Sequence, residues 1–136
     1  MRLSTRMCYG TRALLELSMN YGSGAMPLAT ISRSQDLPAK YLEQLMHSLK
    51  FSGLVLAVRG AKGGYALARE PHKIHMGEVY NCLEGPGTTV DCVQHDDVCE
   101  RTAFCSTRPV WTDVHDAIMG ILDSVTLQDM LNMAEQ

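Results

Sequence analysis

Apolar residues recur every three or four positions along roughly the first fifty residues, which is the spacing of amphipathic helices. Ser4 or Thr5 can cap the first of these helices, and Gly22 and Gly24 can end it. Its apolar face consists of Met7, Leu14, Leu17 and Tyr21. The pattern predicts helices over residues 5–21, 28–35 and 38–51.

The second and third predicted helices meet at the tight turn Asp36-Leu-Pro38, an arrangement typical of a helix-turn-helix. An ordinary helical hairpin would give the same pattern, and the residues that follow decide between the two. Residues 54–58 and 65–67 are strand-like and enclose a glycine-rich turn with Arg59 and Lys62, which predicts a β-hairpin. The glycines lack the Lys-Ser/Thr ending of a phosphate-binding loop. A helix-turn-helix followed by a basic hairpin predicts a winged helix.

A helix over residues 75–83 and a cysteine-containing loop precede a long helix that opens at Ser106 or Thr107 and runs to about residue 124. One side of this helix is apolar, and such a side is buried either in the core or in the interface between two subunits, here called the subunit seam. A seam is favoured because helix-turn-helix proteins bind DNA as dimers. The apolar stripe consists of Val110, Trp111, Val114, Ile118, Ile121, Leu122 and Val125.

The predicted fold is therefore mainly α with a small β-hairpin wing (α+β), a winged helix-turn-helix with a long C-terminal dimerisation helix. Its expected parts follow one another along the chain. They are a DNA-binding domain over residues 1–84, a cysteine-rich cluster-binding loop over 85–108, and the dimerisation helix with the C-terminal segment over 109–136.

Charge is distributed unevenly along the 136 residues, although the net charge is only −3. Residues 1–73 carry ten basic and four acidic side chains, whereas residues 74–136 carry two basic and eleven acidic ones. This asymmetry indicates that the first half faces a polyanion. The composition, 46% apolar and 20% charged, is that of a folded globular protein. Neither an apolar run of about 20 residues nor a signal-peptide core is present, so a cytoplasmic protein without membrane contact is expected.

The expected DNA contacts follow from the geometry of a helix-turn-helix, whose second helix places its first turns against base edges. Gln44 can pair with adenine, and Glu43 can accept a hydrogen bond from cytosine. Arg59 on the wing is a candidate for minor-groove insertion, because the negative potential of that groove attracts arginine. For single residues, packing, ion pairing or simple solvation is the alternative. The candidate base and wing contacts are Ala39, Lys40, Tyr41, Glu43, Gln44, Arg59 and Lys62, and the candidate phosphate contacts are Arg2, Arg6, Arg33 and Lys50.

Three cysteines lie close together in the predicted loop, with six residues between Cys92 and Cys99 and five between Cys99 and Cys105. This spacing lacks the paired C-x2-C knuckles of a zinc ribbon. Three soft thiolates in a loop suit an iron–sulfur cluster, while free thiols or a metal-free thiol switch are the alternative. Cys82 is better explained as a small core residue than as a ligand. The candidates for the required fourth ligand are Cys8, Cys82, Asp91, His95, Asp96 and Asp97.

Several segments resemble the winged-helix regulators of the IscR, NsrR and RirA type. They are the opening MRLSTR, the stretch PAKYLEQLMHSLKFSGLV, the hairpin VRGAKGGYALAR, and three spaced cysteines before a helix near Trp111. The matching segments span nearly the whole chain, and the family consists of dimeric bacterial transcription factors. The resemblance implies that Cys92, Cys99 and Cys105 hold an iron–sulfur cluster and that the Trp111 helix makes the dimer.

Two departures from that family bear on the cluster. The first cysteine gap is six residues where several members have five, and Arg108 stands where some relatives supply a histidine ligand. Other relatives use a carboxylate in the first helix of the partner subunit, at the position of Cys8. The hypothesis is that Cys8 of one subunit completes the site of the other, with a [4Fe–4S] cluster favoured over [2Fe–2S]. Cys8 packed within its helix, with His95 or a carboxylate as ligand, is the alternative.

The resemblance thus implies a dimeric transcriptional regulator, not an enzyme, that binds a near-palindromic double-stranded operator. Its affinity would be controlled by the cluster, which would sense iron or cluster supply, nitric oxide or redox state. A metal-free thiol-redox regulator of the same fold is the alternative. Spacing assigns no catalytic arrangement of residues.

Overall fold

The computed structural model describes residues 3–85 and 91–135, and this part of the chain is mainly helical with one antiparallel hairpin. The helices are α1 (Thr5–Met19), α2 (Leu28–Gln35), α3 (Ala39–Phe51), α4 (Met76–Leu83), α5 (Asp91–Gln94), α6 (Arg108–Ser124) and α7 (Leu127–Ala134). The hairpin joins β1 (Val55–Val58) to β2 (Gly64–Leu67), and single 3-10 turns lie at Pro71–Lys73 and Thr102–Phe104. No described helix has the length and apolar character to cross a membrane. The predicted fold class is confirmed.

The buried core forms where α1 packs against α2, α3, α4 and α7. Leu14 from α1 and Leu45 and Leu49 from α3 are fully buried there, at positions set by the helical period that predicted these elements. Leu127 of α7 is fully buried in the same core. The C-terminal helix therefore packs with the winged helix and does not stand apart from it.

α1 ends at Met19 rather than at Tyr21, because Asn20 and the glycines after it turn the chain. Gly22 has a φ of +89°, a left-handed conformation that glycine adopts without a steric penalty from Cβ. Tyr21, predicted on the apolar face, consequently lies in the turn with an exposed side chain. At the start of the helix Ser4 is the cap, since its hydroxyl accepts the Met7 N–H at 3.1 Å.

The turn between α2 and α3 is as tight as the sequence predicts. Asp36 adopts a left-handed conformation with φ 52°, and the Leu37 N–H donates to the Ser32 carbonyl at 2.9 Å. Pro38 then precedes α3 and occupies its N-cap position. α2, this turn and α3 form the helix-turn-helix.

The wing is held against the helices by a bridge between Tyr65 of β2 and Met26, which lies just before α2. The Tyr65 N–H donates to the Met26 carbonyl at 2.9 Å, and the Met26 N–H donates to the Tyr65 carbonyl at 2.8 Å. Gly64 permits this approach, since its φ is +145° and a Cβ there would overlap the Met26 carbonyl. The hairpin therefore has a defined position relative to α2.

α6 buries none of its residues within the described part of the chain. Ile121 is 66% exposed, Val110 55% and Trp111 42%. The C-terminal part of the helix contacts the winged helix, since Met119 and Leu122 pack against the core and the Met76 N–H donates to the carbonyl of the C-cap residue Val125 at 2.8 Å. An apolar face left open along most of a helix favours the predicted subunit seam over a core.

Gly10 lies at a close approach of α1 and α4, and its replacement is expected to destabilise the protein. A Cβ at this position would overlap the side chain of Leu83, which is buried in the core. Gly10→Ala should therefore lower the free energy of unfolding by about 1–3 kcal/mol, the usual cost of overpacking. Gly120→Ala on α6 is the control, because an added methyl group there meets no atom within 4 Å. Chemical denaturation measures both variants, and equal stability of the two would contradict the expectation.

Candidate functional site

The solvent-facing side of α3 carries most of the predicted base contacts. Leu42, Leu45 and Leu49 point into the core, and the helical period turns the positions between them outward. Within residues 3–85 and 91–135, Glu43 forms no ion pair with a lysine or arginine, so its carboxylate is open to solvent. The exposed residues on this side are Ala39, Lys40, Glu43, Gln44, His47 and Lys50.

Tyr41 and Arg6 make contacts inside the protein. The half-buried ring of Tyr41 lies edge-to-face with that of Tyr9, with ring centroids 5.9 Å apart. Arg6 donates from Nε to the Leu83 carbonyl at 3.1 Å and from Nη2 to the Ser48 hydroxyl at 3.3 Å. The structure thus shows a packing role for each, and DNA contact by either residue stays a prediction.

The other basic side chains of residues 1–73 that are predicted to contact DNA are exposed wherever the structure describes them. Arg59 and Lys62 are exposed in the turn between β1 and β2, which is the tip of the wing. Arg33 is exposed in the last turn of α2. Arg2 lies outside the described residues. The wing tip and the end of α2 thus present positive charge, as contact with phosphates requires.

A cleft between α3 and β2 contains two residues that the sequence analysis missed. Its walls are formed by Glu43, Gln44, His47 and Tyr65. His47 follows Gln44 by three positions and Glu43 by four, so helical periodicity alone places it on the same face. Tyr65 gives no comparable signal, because only the packing of the hairpin beside α3 brings it there.

The three clustered cysteines lie in one surface segment that leads from α5 to α6. Cys99 is exposed, Cys92 and Cys105 are half-buried, and all three are free thiols. The segment is less loop-like than predicted, since α5 includes Cys92 and a 3-10 turn at Thr102–Phe104 precedes Cys105. The Thr102 hydroxyl donates to the Cys99 carbonyl at 2.7 Å. Such local side-chain bonds organise short turns that periodicity does not reveal.

Arg108, at the end of this segment, forms a hydrogen bond and an ion pair with residues near its start. Its Nε donates to the Cys92 carbonyl at 3.0 Å, and its Nη2 pairs with the Asp96 carboxylate. Asp96, one candidate for the fourth ligand, is therefore already engaged by a guanidinium. Since Arg108 is also the first residue of α6, this contact links the cysteine segment directly to the start of that helix.

Hydrogen bonds around Cys105 stabilise the ionised form of its thiol relative to an ordinary cysteine. Its Sγ lies 3.2 Å from the Thr107 hydroxyl oxygen. This hydrogen bond, together with the backbone N–H groups of Thr107 and Arg108, lowers the pKa of the Cys105 thiol below its ordinary value. Thr107 occupies the predicted N-cap position of α6, but its hydroxyl pairs with the sulfur and makes no capping bond. A thiolate binds metal and attacks disulfides, so Cys105 suits either chemistry.

Cys8 and Cys82 occupy different environments. Cys8 is exposed on α1 in the single chain, and whether it is a ligand or packs within its helix stays a prediction. Cys82 on α4 is half-buried against the core, and its Sγ donates to the Ser48 carbonyl at 3.4 Å, as expected for a core residue. The other candidates for the fourth ligand, Asp91, His95 and Asp97, are exposed.

A single chain does not assemble the ligand set. Among the residues that the structure describes, no three histidine, cysteine, aspartate or glutamate side chains lie close enough to hold a metal ion. The donor chemistry does fit an iron–sulfur cluster, since Cys92, Cys99 and Cys105 are free thiols in one surface segment and the pKa of the Cys105 thiol is lowered. The three cysteines therefore come within reach of one cluster only if the segment that carries them rearranges.

Comparison with known proteins identifies one family. The sequence model of that family, described as "Rrf2: Iron-dependent Transcriptional regulator", matches residues 3–133. The chain is also similar to the HTH-type transcriptional regulator IscR of Cronobacter sakazakii (strain ATCC BAA-894). The two are 36% identical over 135 residues, which cover 99% of this chain and 83% of the relative.

Two solved structures show that two kinds of regulator share this fold. The structure of T. potens IscR is 40% identical, with a TM-score of 0.80 over 98% of this chain and 88% of that chain. The structure of CymR of B. subtilis, described as the global cysteine regulator, is 35% identical, with a TM-score of 0.80 over 98% of each chain. In fold, the chain is equally similar to both.

Proposed function

The chain belongs to the Rrf2 family of DNA-binding transcriptional regulators, and from this premise we propose that it is a dimer whose DNA affinity is controlled by an iron–sulfur cluster. Members of the family bind DNA and are generally dimeric. The observation that carries the proposal is the surface segment of Cys92, Cys99 and Cys105, in which all three thiols are free and the pKa of Cys105 is lowered. The description of the family as iron-dependent supports the same assignment. The place of action that follows is the cytoplasm.

DNA binding is assigned to α3 and the wing. Glu43 and Gln44 are exposed on α3 and read base edges in the major groove, while Arg59 at the wing tip enters the minor groove. The cations around them contact phosphates, which gives affinity without sequence information. The further proposed contacts are Arg2, Arg33, Ala39, Lys40, Lys50 and Lys62.

The cluster is assigned to Cys92, Cys99 and Cys105 of one subunit and Cys8 of the other. Two observations support this assignment: Cys8 is exposed on α1, and Cys92, Cys99 and Cys105 are free thiols in one surface segment. Four thiolates are compatible with both common cluster types, of which [4Fe–4S] is favoured. When bound, the cluster supplies an iron centre that responds to iron supply, nitric oxide or oxidants.

Coupling between cluster and DNA follows from the positions of the proposed ligands. α1, which carries Cys8, packs against α2 and α3, so a ligand bond at Cys8 acts on the helix that supports the recognition helix. Arg108 links the other three ligands to α6 through the Cys92 carbonyl. Cluster loss therefore changes how the two recognition helices are held relative to one another.

A metal-free thiol-redox regulator of the same fold is the second candidate function. Two observations favour it. CymR, to which the chain is equally similar in fold, holds no iron–sulfur cluster. The lowered pKa of the Cys105 thiol makes it more readily ionised than an ordinary cysteine, and the thiolate is the form that reacts with oxidants. In this alternative the thiols respond to oxidants directly and hold no metal.

Purification without oxygen separates the two candidates. The cluster predicts a coloured protein with visible absorption and similar amounts of iron and acid-labile sulfide. Both should be lost when Cys92, Cys99 and Cys105 are all replaced by serine. A colourless, iron-free protein whose DNA affinity falls on oxidation and is restored by a thiol reductant would contradict the cluster and support the thiol switch.

A further inference from the structure

The cleft between α3 and β2 lies between the two proposed DNA-reading elements. Gln44 and Glu43 on one wall face the major groove in the proposed complex, while Arg59 at the tip of the adjoining hairpin reaches the minor groove. A major groove and the neighbouring minor groove are separated by one sugar-phosphate strand. A duplex that engages both elements must therefore lay this strand across the cleft.

The other two residues that line the cleft supply the hydrogen-bond donors that a phosphate requires. His47 is exposed on α3 and presents a ring N–H, and Tyr65 on β2 presents a hydroxyl. Neither side chain has a hydrogen-bond partner within residues 3–85 and 91–135. Glu43 lines the same cleft, and its carboxylate repels a phosphodiester. The strand is therefore expected to pass on the side of His47 and Tyr65.

The two donor residues of the cleft lie on a strand and a helix, not in loops. Tyr65 is paired with Ala57 across the hairpin and bonded to Met26 in both directions. His47 lies in the middle of α3, next to the fully buried Met46. Both donors thus project from rigid elements, which lowers the entropic cost of holding a ligand between them.

We propose that His47 and Tyr65 form a binding site for one phosphodiester of the DNA strand that separates the two grooves. This site rests on the proposed DNA-binding function and adds to it two residues that position the duplex without reading its sequence.

Binding of labelled duplexes, measured by fluorescence anisotropy, tests the site. The probes are a duplex selected by the unaltered protein from a random pool and a shuffled duplex of the same length and composition. Tyr65→Phe removes only the hydroxyl, and His47→Ala removes only an exposed ring. Each is expected to weaken binding of both duplexes by a similar factor, at least about tenfold, because each subunit loses one hydrogen bond to a charged group.

Two further variants act as controls. His72→Ala makes the same chemical change in the 3-10 turn that packs against α7, and it should leave both affinities unchanged. Gln44→Ala should weaken binding of the selected duplex more than that of the shuffled one, because base contacts carry sequence information. Thermal unfolding confirms that each variant is folded.

The outcomes separate this site from the function on which it rests. If the unaltered protein binds neither duplex, the proposed function itself is wrong. If it binds but Tyr65→Phe and His47→Ala bind as tightly, the phosphate site is wrong and the function stands. A loss confined to the selected duplex would also overturn the site, since it would make these residues readers of bases.

Discussion

Replacing Cys8 with serine is expected to lower the affinity of the dimer for its cluster by more than about tenfold, because even residues outside a ligand set change metal affinity by about 10–100-fold. Iron, acid-labile sulfide and visible absorption after oxygen-free purification measure the loss. Cys82→Ser is the matched control. Its side chain is half-buried and a hydroxyl can keep the bond to the Ser48 carbonyl, so the cluster should be unaffected.

Mixed dimers determine which subunit supplies Cys8. One chain carries Cys8→Ser and the other Cys99→Ser, and the two are produced together with different tags. If Cys8 ligates across the dimer, one complete site remains, formed by the cysteine segment of the first chain and Cys8 of the second. The expected iron content is then about half that of the unaltered dimer. Iron-free mixed dimers would show that all ligands come from one chain. If Cys8 were not a ligand, the mixed dimer would also hold half the iron, so the result is combined with that of the Cys8→Ser homodimer, in which full iron content would show that Cys8 is not a ligand.

Ile121→Asp is expected to convert the dimer into monomers. Ile121 is 66% exposed on α6, within the apolar face assigned to the seam. An unpaired charge buried in an interface costs about 3–5 kcal/mol. Because a twofold interface contains the substituted residue twice, the dissociation constant of the dimer should rise at least about a thousandfold. Sedimentation at several protein concentrations measures this change.

The same substitution should weaken DNA binding by more than about a hundredfold, because a monomer engages only one half-site. Gly120→Asp places the same side chain one residue away, where an added Cβ meets no atom within 4 Å, and should leave dimer and DNA affinity intact. Persistence of the dimer in the Ile121→Asp variant would contradict the assignment of this face. If Cys8 ligates in trans, the monomeric variant should also lose its cluster.

Much of the fold could be predicted from local pattern. The span of α2 and the end of α3 follow from the apolar period and the turn at Asp36, and the wing follows from its glycines. The apolar face of α6 is likewise visible in the sequence, as is the packing role of Cys82. These features depend on neighbours a few residues apart, so a single sequence contains the information.

The features that were missed depend on residues far apart along the chain. Arg6 bonds to Leu83 and Ser48, and Tyr65 reaches α3 only because the hairpin folds beside it. No periodicity records such contacts, because each is set by tertiary packing. The fourth ligand is not predictable from one chain when that ligand comes from another.

If cluster occupancy sets DNA affinity, removing the iron from a single preparation should change that affinity. A single oxygen-free preparation is divided, and one half is stripped of iron by a chelator under reducing conditions that keep the thiols free. Both halves are titrated against the duplex selected by the unaltered protein. A regulatory coupling of about 1–3 kcal/mol predicts dissociation constants that differ by about 5–150-fold. Equal dissociation constants, with iron confirmed in one half and absent from the other, would contradict the account.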